Sequence, residues 1–111
     1  MNSQIETLKK NLRSSPQDAG LSKELGKKYL EAGYYKEAAE HYRQAINFNP
    51  RLSIEVVLDY ERHLYENSGN LQLRFSLVNF YLGSGDIKNA IMELEEILEV
   101  NPNNLDAFIR A

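Results

Sequence analysis

With 111 residues, 42% of them apolar and 26% charged, the chain is sized for one modest domain and is too short for a second independent core. It has no cysteine, which excludes disulfides, thiolate metal sites and cysteine nucleophiles, and its apolar residues never approach the roughly 18 in succession that a membrane span needs. The net charge of −3 is uneven: residues 1–50 carry eight Lys and Arg against six Asp and Glu, and residues 51–111 carry five against ten, a poor match for nucleic acid. With no basic-then-apolar leader, the chain reads as soluble and cytoplasmic.

Apolar residues recur at helical spacing and sustained alternation is missing, so the expected fold class is all-α. The first predicted helix, 3–13, carries Ile5, Leu8 and Leu12 on one face and ends at Ser14-Ser15-Pro16. The second, 19–32, closes at Gly33-Tyr34, and the third, 35–47, closes at Asn49-Pro50. A fourth spans 52–66 ahead of Asn67-Ser68-Gly69-Asn70, and a fifth, 71–82, stops at Gly83-Ser84-Gly85-Asp86. The sixth, 87–99, shows the apolar spacing most plainly in Ile87, Ile91, Leu94, Ile97 and Leu98, and a last helix opens near residue 104 after Asn101-Pro102-Asn103. Each break offers residues that cap or stop a helix.

One pattern is written twice, 52 residues apart: Leu25, Gly26, Tyr29, Ala38, Tyr42, Ala45 and Pro50, then Leu77, Val78, Tyr81, Ala90, Leu94, Ile97 and Pro102. Ala38 and Ala45 leave room for two helices to approach, Tyr29 and Tyr42 fill the space beside them, and the proline stops the second helix. This spacing resembles the tetratricopeptide repeat, a helix-turn-helix of 34 residues. The resemblance places one repeat at 19–52 and a second at 71–104. In the second copy Val78 stands where the family prefers glycine, Leu94 and Ile97 replace the usual aromatic and alanine, and both copies lack the early tryptophan, with Ser22 and Arg74 there instead. The implied architecture is one domain, 1–111, of antiparallel helix hairpins stacked as a short right-handed α-solenoid.

Two parts of the chain stand outside the pair. Pro16 precedes Pro50 by 34 residues, so helix 3–13 reads as the second half of a preceding repeat, and residues 105–111 read as the start of a following one. A stack needs about three repeats with polar caps, so the piece is expected to belong to a longer array or to be completed by another chain, with Ile5, Leu8, Leu12, Leu105, Phe108 and Ile109 as exposed self-association surfaces. Helix 52–66 is extra, and a single inserted helix reverses the chain direction relative to an ordinary stack. It serves either as a second helix whose partner is missing or as a first helix that shifts the register after it.

No catalytic or metal-binding constellation emerges. His41 and His63 lack ligand spacing and read as packing or surface residues. Gly83-Ser84-Gly85-Asp86 lacks the Lys-Ser/Thr of a phosphate loop and sits where a hairpin must turn. Glu93, Glu95, Glu96 and Glu99 spread over a wide helical arc facing water. No cofactor or enzymatic activity is expected.

The resemblance implies binding instead, on a concave groove lined by the first helix of each repeat. The corresponding positions are Lys23, Lys27, Leu30 and Glu31 in the first copy and Phe75, Asn79 and Leu82 in the second. The lysines would receive a carboxylate, and Phe75 with Leu82 an apolar side chain. The family's basic clamp for a terminal carboxylate is not filled consistently here. Two functions follow as expectations: an adaptor holding a peptide or protein segment, and a self-assembly module whose open half-repeat ends pair into a homo-oligomer.

Overall fold

The computed structural model describes residues 3–100. Within them the chain forms α1 (Ser3–Ser14), α2 (Ala19–Ala32), α3 (Tyr35–Phe48), α4 (Ser53–Glu66), α5 (Leu71–Gly83) and α6 (Ile87–Val100), with a short 3-10 turn, Pro50–Leu52, before α4. The all-α expectation holds, and no strand occurs among the described residues. Leu105, Phe108 and Ile109, named above as self-association candidates, lie outside the described residues.

Local chemistry explains the boundaries. Asp18 accepts the backbone N–H of Leu21 at the start of α2, and Asn70 accepts that of Leu73 at the start of α5, so each helix opens on a side-chain cap. The two hairpins then turn in the same way, 52 residues apart. Gly33 (φ 86°) sits between N–H donation from Tyr34 to the Tyr29 carbonyl and from Gly33 to that of Leu30. Gly85 (φ 80°) sits between the equivalent bonds, Asp86 to Tyr81 and Gly85 to Leu82. Both are left-handed closures that satisfy the last helical carbonyls, and glycine adopts them without steric strain.

Packing follows the pairs: α2 lies against α3, α5 against α6, and α1 against α2. The inserted α4 has the effect expected of it. Consecutive helices joined by short loops run antiparallel, so a helix placed directly after α3 would oppose it. With α4 between them, α5 runs alongside α3 in the same direction: Tyr35 meets Asn70 and Ser76, Tyr42 meets Phe80, and Arg43 meets Gly83. The α5–α6 pair is nevertheless the closer hairpin, and the contact of α4 with α5 is looser.

The core lies where these helices converge. Tyr42, Tyr60 and Phe80 are buried, with ring centroids 5.5, 5.9 and 6.4 Å apart. Such tilted and edge-on aromatic pairs each add about 0.5–1.5 kcal/mol beyond the area they bury. The polar ends of the rings find partners. Tyr42 donates its hydroxyl to Asp59 Oδ2 at 3.0 Å, and Ser76 donates to the Tyr35 carbonyl at 2.9 Å, which leaves Tyr60 as the donor in its 2.8 Å bond to Ser76 Oγ. Burial, helped for Tyr42 by the Asp59 charge, pushes both phenols well above their usual pKa and keeps them protonated donors.

Two expectations need correction. Ile5 is not an exposed sticky residue: it is 3% exposed, inside the α1–α2 contact, and Leu8 and Leu12 are half-buried beside it. Glu93 does not simply face water either; its side chain is 13% exposed and lies 3.0 Å from the Arg74 guanidinium, which also reaches Glu96 at 3.2 Å.

Ser22 is buried at 0% exposure and its hydroxyl has no hydrogen-bond partner. Burying an unpaired hydroxyl is costly and serine is a poorer helix former than alanine, so Ser22→Ala is expected to raise stability by about 1 kcal/mol, read as a higher urea midpoint at unchanged slope. For Glu93, burial first and then Glu96 raise the carboxyl pKa, and Arg74 offsets only part of this. A raised folded-state pKa means the folded protein binds the proton more tightly than the unfolded chain, so ionising Glu93 destabilises the fold. Glu93→Gln is therefore expected to be more stable than the wild type at pH 7, with the advantage shrinking as pH falls through the raised value toward 4.5. Urea unfolding at several pH values checks both the sign and the window.

Candidate functional site

The structure distributes the sequence candidates unevenly. Leu30 is 2% exposed and belongs to the core. Lys23 is only 17% exposed in its side chain and lies 3.9 Å from Glu55 of α4, an ion pair on the α2 face expected to be open. Lys27 is half-buried, and Glu31 is exposed and lies 3.5 Å from Lys28 one turn back. On α5, Phe75 is half-buried against the core, while Asn79 and Leu82 stay exposed. No extensive contact joins α2 to α5, so the two sets do not line one continuous surface.

A different concavity is present. Where the Pro50–Leu52 turn swings α4 away from α3, the two helices and the α5–α6 turn enclose an open groove of about 830 Å3. Its walls are Ile46 of α3 and Val57 of α4, with Ile54 and Leu58 also on α4, one turn apart. These last two are 70% and 51% exposed. Charge is placed around this apolar wall: Arg43 on α3, Glu61 on α4 and Asp86 at the start of α6. The absence of a side chain at Gly83 lets Arg43 lie directly across it; a Cβ there would collide with the Arg43 Cδ. Tyr81 lines the groove as an uncharged phenol, its pKa pushed up to about 12 mainly by burial.

A second, smaller concavity of about 650 Å3 lies between α1 and α3. His41 lines it, half-buried and stacked on Tyr29 with 5.4 Å between ring centroids. Burial holds its pKa below the usual histidine value, against the opposing pull of Glu40. This is the interhelix packing role expected from its spacing.

Sequence comparison decides the family. Two family models, both described as tetratricopeptide repeat, match residues 20–52 and 71–104, together more than half of the chain. The chain belongs to the tetratricopeptide repeat family. The matched segments cover the α2–α3 hairpin from its second residue and the whole α5–α6 hairpin, and α4 falls between them. No curated protein matches the chain at a significant level. Tetratricopeptide repeats are protein–protein interaction modules. Among the described residues, no helix is long and apolar enough to cross a membrane.

Sequence reasoning missed Ile54, Leu58 and Arg43 as groove residues and Asp59 as a buried hydrogen-bond acceptor. Ile54 and Leu58 did carry a signal, two large apolar residues one turn apart outside either repeat. Asp59 carried none, since a lone carboxylate on a helix ordinarily faces water.

Proposed function

We propose that the chain is an adaptor that holds a segment of another protein in the groove between α3, α4 and the α5–α6 turn. The observation that carries this reading is the exposed pair Ile54 and Leu58 on the wall of a groove of about 830 Å3. That volume is in the range of sites that enclose a ligand, roughly 300–1,000 Å3. An apolar strip one helical turn long in a groove that Arg43, Glu61 and Asp86 also line matches a peptide with an apolar anchor and polar flanks. Burying both anchors offers roughly 1.5–3 kcal/mol per side chain before the cost of ordering the peptide.

A random-peptide display library selected on the full chain tests this. Selected peptides are expected to share an apolar anchor and to lose at least about tenfold in affinity, or roughly 1.4 kcal/mol, with Ile54→Asp plus Leu58→Asp. Both positions are exposed, so circular dichroism should show an unchanged fold. Peptides that bind the double variant as well as the wild type would remove this groove from the account.

Self-assembly is the second reading, favoured by α6. Ile87, Ile91 and Leu98 are 51%, 49% and 40% exposed and recur on one helix face. A molar mass that rises across a hundredfold concentration range, and stays monomeric in Ile91→Asp, would make assembly the leading function.

A further inference from the structure

Beyond the α3–α4 groove, we propose that the concavity between α1 and α3 is a second docking site, for an acidic amphipathic segment of a partner protein. The chain carries a net charge of −3, yet among the described residues no carboxylate lines this surface. Lys9 and Arg13 of α1 form one rim, Gln44 and Phe48 of α3 the other, and Leu12 with the fully buried Leu25 make the apolar floor. Phe48, at 41% exposed, is a large ring left partly in water beside that floor. His41 adds a polar feature: its Nδ1 is buried without a hydrogen-bond partner, while Gln44 on the rim interacts with the same ring.

Neighbouring acids do not neutralise the site. Lys9 lies 4.0 Å from Glu6, but both side chains are about half exposed, 43% and 51%, so the pair is weak in water. Glu37 and Glu40 act on His41 from its own helix without lining the concavity. Two cations above an apolar floor discriminate by sign: an acidic segment is attracted, and a basic one with the same apolar residues is repelled.

The test uses the full chain and two synthetic helical peptides that share one leucine stripe, one with glutamate on the remaining face and one with lysine. The glutamate peptide is expected to bind and to shift the backbone amides of Leu12, His41 and Phe48 while leaving Ile54 and Leu58 unmoved. Lys9→Glu plus Arg13→Glu, with circular dichroism and a urea midpoint confirming an intact fold, should weaken it at least about tenfold. Equal binding of both peptides, no binding of the glutamate peptide at millimolar concentration, or affinity untouched by the double reversal would each overturn the assignment. Concentration-dependent self-association abolished by the same double variant would overturn it too, by making the occupant a second copy. Because the shifted amides differ, failure here leaves the α3–α4 groove standing.

Discussion

Tyr42→Ala is expected to cost at least about 4 kcal/mol, the upper part of the range for deleting a buried aromatic ring, and so a large share of the 5–15 kcal/mol that holds a small domain together. Three losses coincide. The ring, at 0% exposure, leaves a cavity between α2 and α3; its contacts with Tyr60 and Phe80 across α4 and α5 vanish; and Asp59, 5% exposed, loses the phenol that donates to it. Tyr42→Phe separates these terms, since it keeps the ring and removes only the donor. A hydrogen bond to a charged group is worth about 1.5–3 kcal/mol. Some of that is recovered because the Arg62 guanidinium lies 3.7 Å from the other Asp59 oxygen, so a loss of about 2 kcal/mol is expected for Phe and roughly twice that for Ala. Urea unfolding of the three proteins gives the comparison. Equal losses would mean that the hydrogen bond, not the ring, ties α3 to α4.

Gly26→Val is expected to destabilise by about 3 kcal/mol. A Cβ at Gly26 would sit 2.8–3.1 Å from Cδ1, Cγ and Cε1 of Tyr42. This is not the yielding tip of a surface chain: the ring is wedged by Tyr60 and Phe80 and tethered to Asp59. Relief requires α2 and α3 to part. Gly26→Ala meets the same clash but gains about 1 kcal/mol of helix propensity, so its net loss should be smaller, near 1 kcal/mol, and the order Gly, Ala, Val in falling urea midpoint is the expected result. The second hairpin shows the complementary arrangement of bulk. There Val78 occupies the place of Gly26 and Leu94 that of Tyr42, so a larger residue on the first helix is matched by a smaller one on the second.

Much of the helical layout was legible in the chain because its signals are local. Predicted and observed limits agree to about a residue where Asp18, Gly33, Asn70 and Gly85 cap or close a helix, since capping depends only on a few neighbouring atoms. The direction reversal across α4 also followed, because counting helices between short turns fixes direction without knowledge of packing. The candidate site was harder to read, for a physical reason. Helical periodicity assigns residues to a face but does not say what covers it. Lys23, Lys27 and Leu30 share a face of α2 that an ordinary stack leaves open to a groove; here Glu55 of α4 approaches Lys23, and Leu30 is buried in the core α4 shares. On its other side α4 leaves Ile54 and Leu58 exposed in the groove it forms with α3. Asp59 was equally hidden, since its burial depends on a phenol 17 residues earlier in the chain.

The adaptor reading is tested most directly by titrating the full chain with its tightest library-selected peptide and recording which backbone amides shift. The account predicts shifts concentrated at Arg43, Ile54, Leu58 and Ser84, around the α3–α4 groove. Shifts confined to Lys23, Lys27, Phe75 and Asn79, with that groove silent, would contradict it and return the binding surface to the first helices of the repeats.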